Sequence, residues 1–315
     1  MNIKSFLSLV EIRTKVASQL PLLIGTMYAI YSFNAFKPLN FILFFISLLL
    51  IDMATTALNH YYDYKSAKKR YGYNYEIHNP LSKYDLSQRT AVYTIIILLA
   101  AAVLSGLFLF LQTDLLILLL GGLSFLVGLT YSFGPVPISR TPFGEIFSGF
   151  FMGFIIFYIA VHIHLPGPEK IVNIMFENSR LLLELDILSV LYIFLASIPL
   201  IFCISNIMLA NNISDIEDDK KNDRYTLPIY IGRQKSLGLF KILYFAVYFD
   251  IVLLIILGVL PVYALIILVS SIPVYHNIQT FMKKQSKKET FPVAINNFLW
   301  INSLYLLSFL LAFIF

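Results

Sequence analysis

Apolar residues run along this chain in nine long stretches separated by short polar breaks. A stretch of about 20 apolar residues crosses the hydrocarbon core of a bilayer as a helix. The pattern predicts spans at approximately 16–33, 40–60, 91–112, 115–133, 143–164, 187–210, 239–258, 260–276 and 294–315. Two breaks, Gln112-Thr113-Asp114 and Leu260-Pro261, read as tight turns between antiparallel helices. Composition agrees. Hydrophobic residues make up 58% of the 315 and charged residues 13%, with a mean hydropathy of +0.78. A soluble domain carries about 25% charged residues. The expected fold class is all-α, a polytopic membrane protein with nine transmembrane helices. No soluble domain or low-complexity segment interrupts it, so residues 1–315 read as one domain. The N-terminus lacks the pattern of a cleaved signal peptide, and the first span is expected to act as its own insertion signal. Cys203 is the one cysteine, which excludes an intrachain disulfide.

The charges set an orientation. With the N-terminus inside, twenty of the twenty-three Lys and Arg fall in inside segments, and only Lys37, Lys170 and Arg180 fall outside. Positive residues stay on the cytoplasmic side, so the N-terminus and the loops 61–90 and 211–238 are expected there, in a multi-pass protein of the cell membrane. This topology accounts for most of the basic residues, and no nucleic-acid partner is expected.

Acidic residues gather at the ends of two spans. After the sixth, Asn211-Asn212-Ile213-Ser214-Asp215-Ile216-Glu217-Asp218-Asp219 places four acids within five residues. Asn211, Asp215 and Asp219 share one face if the helix continues, because residues four apart stack on one side. After the second span, Asn59-His60-Tyr61-Tyr62-Asp63 repeats the Asn-x-x-x-Asp spacing. Asp52, Thr56, Asn59 and Asp63 form a polar stripe on that span, and such a stripe faces the bundle interior or a cavity. Asp52 reads as a structural group held by neighbours. Asn59 and Asp63 read as functional, because they match the second element and run into basic residues.

Both elements lead straight into cations, Lys65, Lys68, Lys69 and Arg70 after the first, and Lys220, Lys221 and Arg224 after the second. Carboxylates with a basic rim suit a magnesium–diphosphate pair. Mg²⁺ takes hard oxygen ligands from one or two carboxylates and from substrate phosphates, while Lys and Arg contact the remaining phosphate oxygens. Lys65 and Arg224 are the first candidates for that contact. A diphosphate at a membrane cavity points to an isoprenoid, its tail among the Phe- and Leu-rich helices and its head at a cavity opening to the cytoplasmic face.

These residues resemble the UbiA superfamily of intramembrane aromatic prenyltransferases. Asn211–Arg233, NNISDIEDDKKNDRYTLPIYIGR, is similar to the family's second Asp-rich motif and its Thr-Leu-x-x-x-x-Gly-Arg tail, and LNHYYDYK (Leu58–Lys65) to its first motif. TYSFGPVPISRTPFG (Thr130–Gly144), followed by Glu145, resembles segments of the 1,4-dihydroxy-2-naphthoate polyprenyltransferase branch. The resemblance implies that Asn59, Asp63, Asn211, Asp215 and Asp219 hold Mg²⁺ and diphosphate. It makes Lys65, Arg140 and Arg224 phosphate contacts and places Tyr131 near the reacting centre. Glu145 becomes a candidate for acceptor binding or proton handling, or a residue that only orients a helix. Glu217 and Asp218 are expected to face away, solvated. His60 is expected at the rim, His162 and His164 at the far interface. Asn296, Asn297 and Asn302 are expected to join helices.

The chain departs from the branch where His60 replaces an acid and Lys69 replaces a second Asp; Glu76 or Asp85 could substitute, or Lys69 could bind the diphosphate instead. The implied activity is Mg²⁺-dependent transfer from a polyprenyl diphosphate to an aromatic acceptor, 1,4-dihydroxy-2-naphthoate, in menaquinone biosynthesis. The alternatives are another acceptor such as 4-hydroxybenzoate, or, in a different class, a cation-coupled transporter built around Asp52 and Asp63.

Overall fold

The computed structural model describes residues 1–66, 79–167, 170–177 and 180–315. Lys68, Lys69, Arg70 and Glu76 lie outside the described residues. Among the described residues, nine helices are long and apolar enough to cross a membrane: Ile12–Phe33, Pro38–Lys65, Gln88–Gln112, Leu115–Ser132, Gly144–His162, Ile187–Ser214, Arg233–Ile256, Val262–Lys283 and Pro292–Ile314. They match the nine apolar stretches, with several extending further at their cytoplasmic ends by the predicted orientation. The reason is visible at the second and sixth spans. Helical hydrogen bonding does not stop where hydrophobicity stops, so Asn59, Asp63 and Asn211 lie on helix.

By internal contacts the chain divides into two units, one of Met1–Gln19 and Pro38–Phe133, the other of Leu20–Lys37 and Gly134–Phe315. In the first unit the second span packs along the third. A short helix, Ile3–Leu9, is capped by Asn2, whose side chain accepts the Ser5 N–H. It delivers Leu9 and Val10 into two small clusters, Leu9 with Ala57, Leu81, Ala91 and Ile95, and Val10 with Met53, Ala54 and Leu98. Small residues on the second span leave room for those side chains.

In the second unit the sixth span is the hub, touching the fifth, seventh and ninth. The fifth contains a π-helical stretch, Gly149–Ile155. It brings Gly153 so close to the sixth span that an added Cβ would lie 2.6 Å from the Ile201 backbone nitrogen. Small residues at such an interface let two backbones approach, which is how membrane helices gain packing when lipid offers no hydrophobic contrast. Polar links add to it: Asn277 Nδ2 donates to Asn297 Oδ1 at 2.7 Å, and the Tyr305 hydroxyl donates to the Ala196 carbonyl at 3.0 Å. Asn297 therefore joins helices as expected. Asn296 is exposed, and the Asn302 amide donates within its own helix, to the Phe298 carbonyl.

One feature departs from an all-helical chain. Strands β1 (Val172–Glu177) and β2 (Arg180–Leu185) form an antiparallel hairpin between the fifth and sixth spans. His162 and His164 are buried, each 1% exposed, and do not sit open at an interface. The Lys37 backbone N–H donates to His164 Nδ1 at 3.2 Å, which leaves Nε2 to face Thr26 Oγ1 at 3.4 Å.

Candidate active site

The second unit carries the acid-rich element. The sixth span ends at Ser214, and a short helix, Ile216–Lys221, follows directly. Two backbone bonds flank the junction, with Asp215 N–H donating to the Asn211 carbonyl (3.1 Å) and Asp219 N–H to the Asp215 carbonyl (2.8 Å). Asp215 itself leaves helical geometry (φ −104°, ψ 7°), so the continuous helix on which Asn211, Asp215 and Asp219 would share one face is interrupted there. Glu217 and Asp218 are exposed, as expected.

Asp215 and Asp219 each meet a cation. Asp219 is 3% exposed and lies 3.4 Å from Arg224 Nε. Asp223 makes this contact possible: its left-handed backbone (φ 52°) turns the chain back, and Arg224 N–H donates to the Asp219 carbonyl. Asp tolerates that conformation better than most residues. Burial pushes the Asp219 carboxyl above its usual range, against the opposing pull of Arg224. Thr226, fully buried, donates to Asp219 Oδ2 at 3.3 Å. Arg224 also reaches the Ser139 carbonyl (3.4 Å), and the Tyr225 N–H donates to the Arg140 carbonyl (3.0 Å). The two arginines expected to contact phosphate thus sit on adjoining segments, Arg140 exposed and Arg224 partly so.

Asp215 is met from far along the sequence. Lys287 Nζ lies 2.5 Å from Asp215 Oδ2. Lys287 belongs to a built loop between the eighth and ninth spans. There the buried Thr290 hydroxyl donates to the Lys284 carbonyl (2.9 Å) and accepts the Ser286 N–H (2.9 Å), and Lys284 pairs with Glu289. Sequence reasoning counted Lys287 only as a topology charge. Nothing local in the sequence ties it to Asp215.

Glu145 sits in the first turn of the fifth span, 4% exposed. Its Oε1 accepts the Asn212 side-chain N–H at 2.9 Å, and its backbone carbonyl accepts the Ser205 hydroxyl at 3.0 Å. Its Oε2 has no hydrogen-bond partner among the described residues. Asn212, 1% exposed, was not singled out from the sequence, although it lies beside Asn211.

The first unit holds the other element. Asn59 is half-buried, and Asp63 and Lys65 are exposed at the end of the second span. Tyr62 stacks on Phe133, with ring centroids 4.8 Å apart, which ties the end of the second span to the end of the fourth, whose last turn carries Tyr131. His60 is 3.1 Å from Glu11 Oε1 and holds that carboxyl below its usual range. It is a rim residue tied to the N-terminal segment. Asp52, around which the transporter alternative turns, is enclosed by protein: Lys15 Nζ contacts its Oδ1 (2.6 Å) and Thr56 Oγ1 (2.6 Å), and the Ser18 hydroxyl donates to Oδ2 (2.6 Å).

A model of the UbiA prenyltransferase family matches residues 19–304. The chain belongs to the UbiA prenyltransferase family. This UbiA prenyltransferase is 30% identical over 245 residues to the 1,4-dihydroxy-2-naphthoate octaprenyltransferase of Bacillus subtilis (strain 168), covering 78% of this chain and 71% of that one. Its fold is similar to that of a UbiA homolog from Aeropyrum pernix K1 (TM-score 0.68, 17% identity, 96% of this chain and 98% of that one). It is also similar to a UbiA homolog from Archaeoglobus fulgidus bound to GPP and Mg²⁺ (TM-score 0.63, 16% identity, 98% of each chain).

The second-unit residues fit a magnesium ion by their chemistry. Asn211, Asp215 and Asp219 offer hard oxygen donors, and Asp215 already takes a positive partner, the Lys287 ammonium. Among the described residues no three His, Cys, Asp or Glu side chains converge as a complete ligand cluster, and Asp85 joins none.

Proposed function

We propose that this UbiA prenyltransferase transfers a polyprenyl group from polyprenyl diphosphate to 1,4-dihydroxy-2-naphthoate, with Mg²⁺, in menaquinone biosynthesis. The observation that carries the reading is the pair of carboxylates at the end of the sixth span, Asp215 and Asp219, each with a cation beside it. The Archaeoglobus homolog bound to GPP and Mg²⁺ supports the diphosphate and the metal. The Bacillus relative supports the acceptor. Asn59, Asp63 and Lys65 are assigned to metal and diphosphate as the first Asp-rich element, and residues 1–315 to one prenyltransferase domain. The acidic ends are assigned to the cytoplasmic face of the cell membrane by the distribution of Lys and Arg.

Mg²⁺ held by these oxygens would offset the negative charge that grows on the departing diphosphate. Arg224, Arg140 and Lys65 are assigned to the phosphate oxygens. As the allylic C–O bond breaks, its electron pair leaves with diphosphate; a ring carbon of the acceptor, made nucleophilic by its phenolic oxygen, forms the new C–C bond, and the ring proton it loses passes to the acidic rim. The acceptor's carboxylate departs as CO₂ during or after alkylation. Tyr131 is assigned to the reacting centre, where an aromatic ring stabilises a cationic carbon, and the apolar spans exclude water that would quench it. Glu145 is assigned to positioning: it holds Asn212, and through it the end of the sixth span that carries Asn211.

The test is prenyl transfer by purified protein in liposomes, with 1,4-dihydroxy-2-naphthoate or 4-hydroxybenzoate, with and without Mg²⁺. Mg²⁺-dependent product from the naphthoate is expected, together with a loss of roughly 100-fold or more in Asp63→Ala and in Asp215→Ala, the scale on which charge-stabilising groups act. Product from 4-hydroxybenzoate alone would overturn the acceptor. Full transfer in both variants would overturn the metal–diphosphate assignment.

A further inference from the structure

The hairpin between the fifth and sixth spans has two unlike faces. Side chains alternate across a strand, and the register pairs Val172 with Leu185 and Ile174 with Leu183. Val172, Ile174, Leu181, Leu183 and Leu185 therefore lie on one face. Asn173, Arg180 and Glu184 lie on the other, with Met175 and Leu182 between them. The apolar face is open: Leu181 is 62% exposed, Leu183 64% and Leu185 50%.

An isolated two-stranded hairpin is marginal in water, and exposed apolar patches mark interaction sites. Continuity identifies the partner. Asp186 ends the hairpin, its N–H donating to the carbonyl of the buried Ile171. It also caps the sixth span, its carboxylate accepting the Ser189 N–H at 3.1 Å and the Ser189 hydroxyl at 2.5 Å. The span begins at Ile187, and Ile187, Leu188 and Leu191 are exposed along it. Those side chains face the bilayer, because the span crosses it. The exposed charge of Asp186 marks the head-group level, and the leucine face of β2 adjoins it in sequence without a break.

We propose that this amphipathic hairpin lies on the bilayer surface, with Leu181, Leu183 and Leu185 seated in the lipid at the start of the sixth span and Arg180 and Glu184 toward water. It extends the membrane contact of the protein beyond its spans.

Neighbouring positions on opposite faces give the test. Leu183→Cys and Glu184→Cys are each spin-labelled in the full chain and reconstituted in phosphatidylcholine vesicles; buried Cys203 offers the label no access. Both side chains are exposed, so neither change disturbs packing. The label at 183 is expected to show a severalfold higher ratio of oxygen to nickel-chelate collisions than the label at 184. Equal access of the nickel chelate to both positions would overturn the proposal. So would a label at 183 shielded from both reagents, which would assign the face to a protein partner such as a second copy.

Discussion

Lys287 reaches Asp215 across 72 residues of sequence. Its ammonium lies on the carboxylate that the proposed function assigns to Mg²⁺, so under that assignment the two cations would compete for one oxygen. Lys287→Gln is therefore expected to lower the Mg²⁺ concentration for half-maximal binding severalfold while weakening retention of inorganic pyrophosphate, both read by equilibrium titration of the purified protein. Unchanged Mg²⁺ binding would mean that the ammonium leaves Asp215 at no cost. Glu145 poses a different question at the same scale. A glutamine there keeps an oxygen for Asn212 and removes the charge. If Glu145 positions the span end, Glu145→Gln retains transfer within a few-fold and Glu145→Ala loses much more; a loss in Glu145→Gln equal to that in Glu145→Ala would give the carboxylate a role in proton transfer. Asn211, Asp215 and Asp219 were legible as a polar cluster because they end an apolar run, but the break in the helix at Asp215 was not. Lys287, Asn212 and Lys15 were not, because each acts on a partner that only folding brings near.

At the scale of elements, the junction of the first and second spans rests on a buried ion pair. Lys15 is 4% exposed, and its ammonium touches Asp52, Thr56 and the Asp52 backbone carbonyl. Removing one partner leaves an uncompensated charge, which costs about 3–5 kcal/mol, whereas replacing both with apolar residues of similar size is often neutral. Lys15→Met is expected to lower the thermal unfolding midpoint sharply, and Lys15→Met with Asp52→Leu to restore most of it. A double variant no more stable than the single one would show that the pair is not the source of the effect. The sequence marked Asp52 as structural from its place in the polar stripe, but counted Lys15 among the inside cations. Charge counting sees a residue's side of the membrane and not its depth. The hairpin was missed for a related reason. Leu181, Leu182 and Leu183 form a continuous apolar run, and such a run does not reveal its period; pairing with β1 sorts those leucines onto two faces.

Across the whole molecule, acid should act through His164. Burial and the nearby Lys37 charge lower its pKa to about 4 from 6.5. The unfolded chain takes up a proton between those values and the folded chain does not, so stability is present above about pH 6.5 and is lost as pH falls toward 4. The shift corresponds to about 3 kcal/mol at most. The unfolding midpoint of the wild type is expected to drop between pH 7 and pH 4.5 by more than that of His164→Asn; parallel slopes would exclude His164 as the cause. Length and hydrophobicity alone determined that the chain is a nine-span membrane protein, because a bilayer demands about 20 apolar residues per crossing and the backbone must satisfy its own hydrogen bonds there. The sequence determined where the acidic clusters lie, because each follows directly on the end of an apolar run. Only the tertiary structure decided which cation meets which carboxylate, which histidines are buried, and where the hairpin lies. Those depend on contacts between segments far apart in sequence, and no local pattern encodes which partner packing will supply.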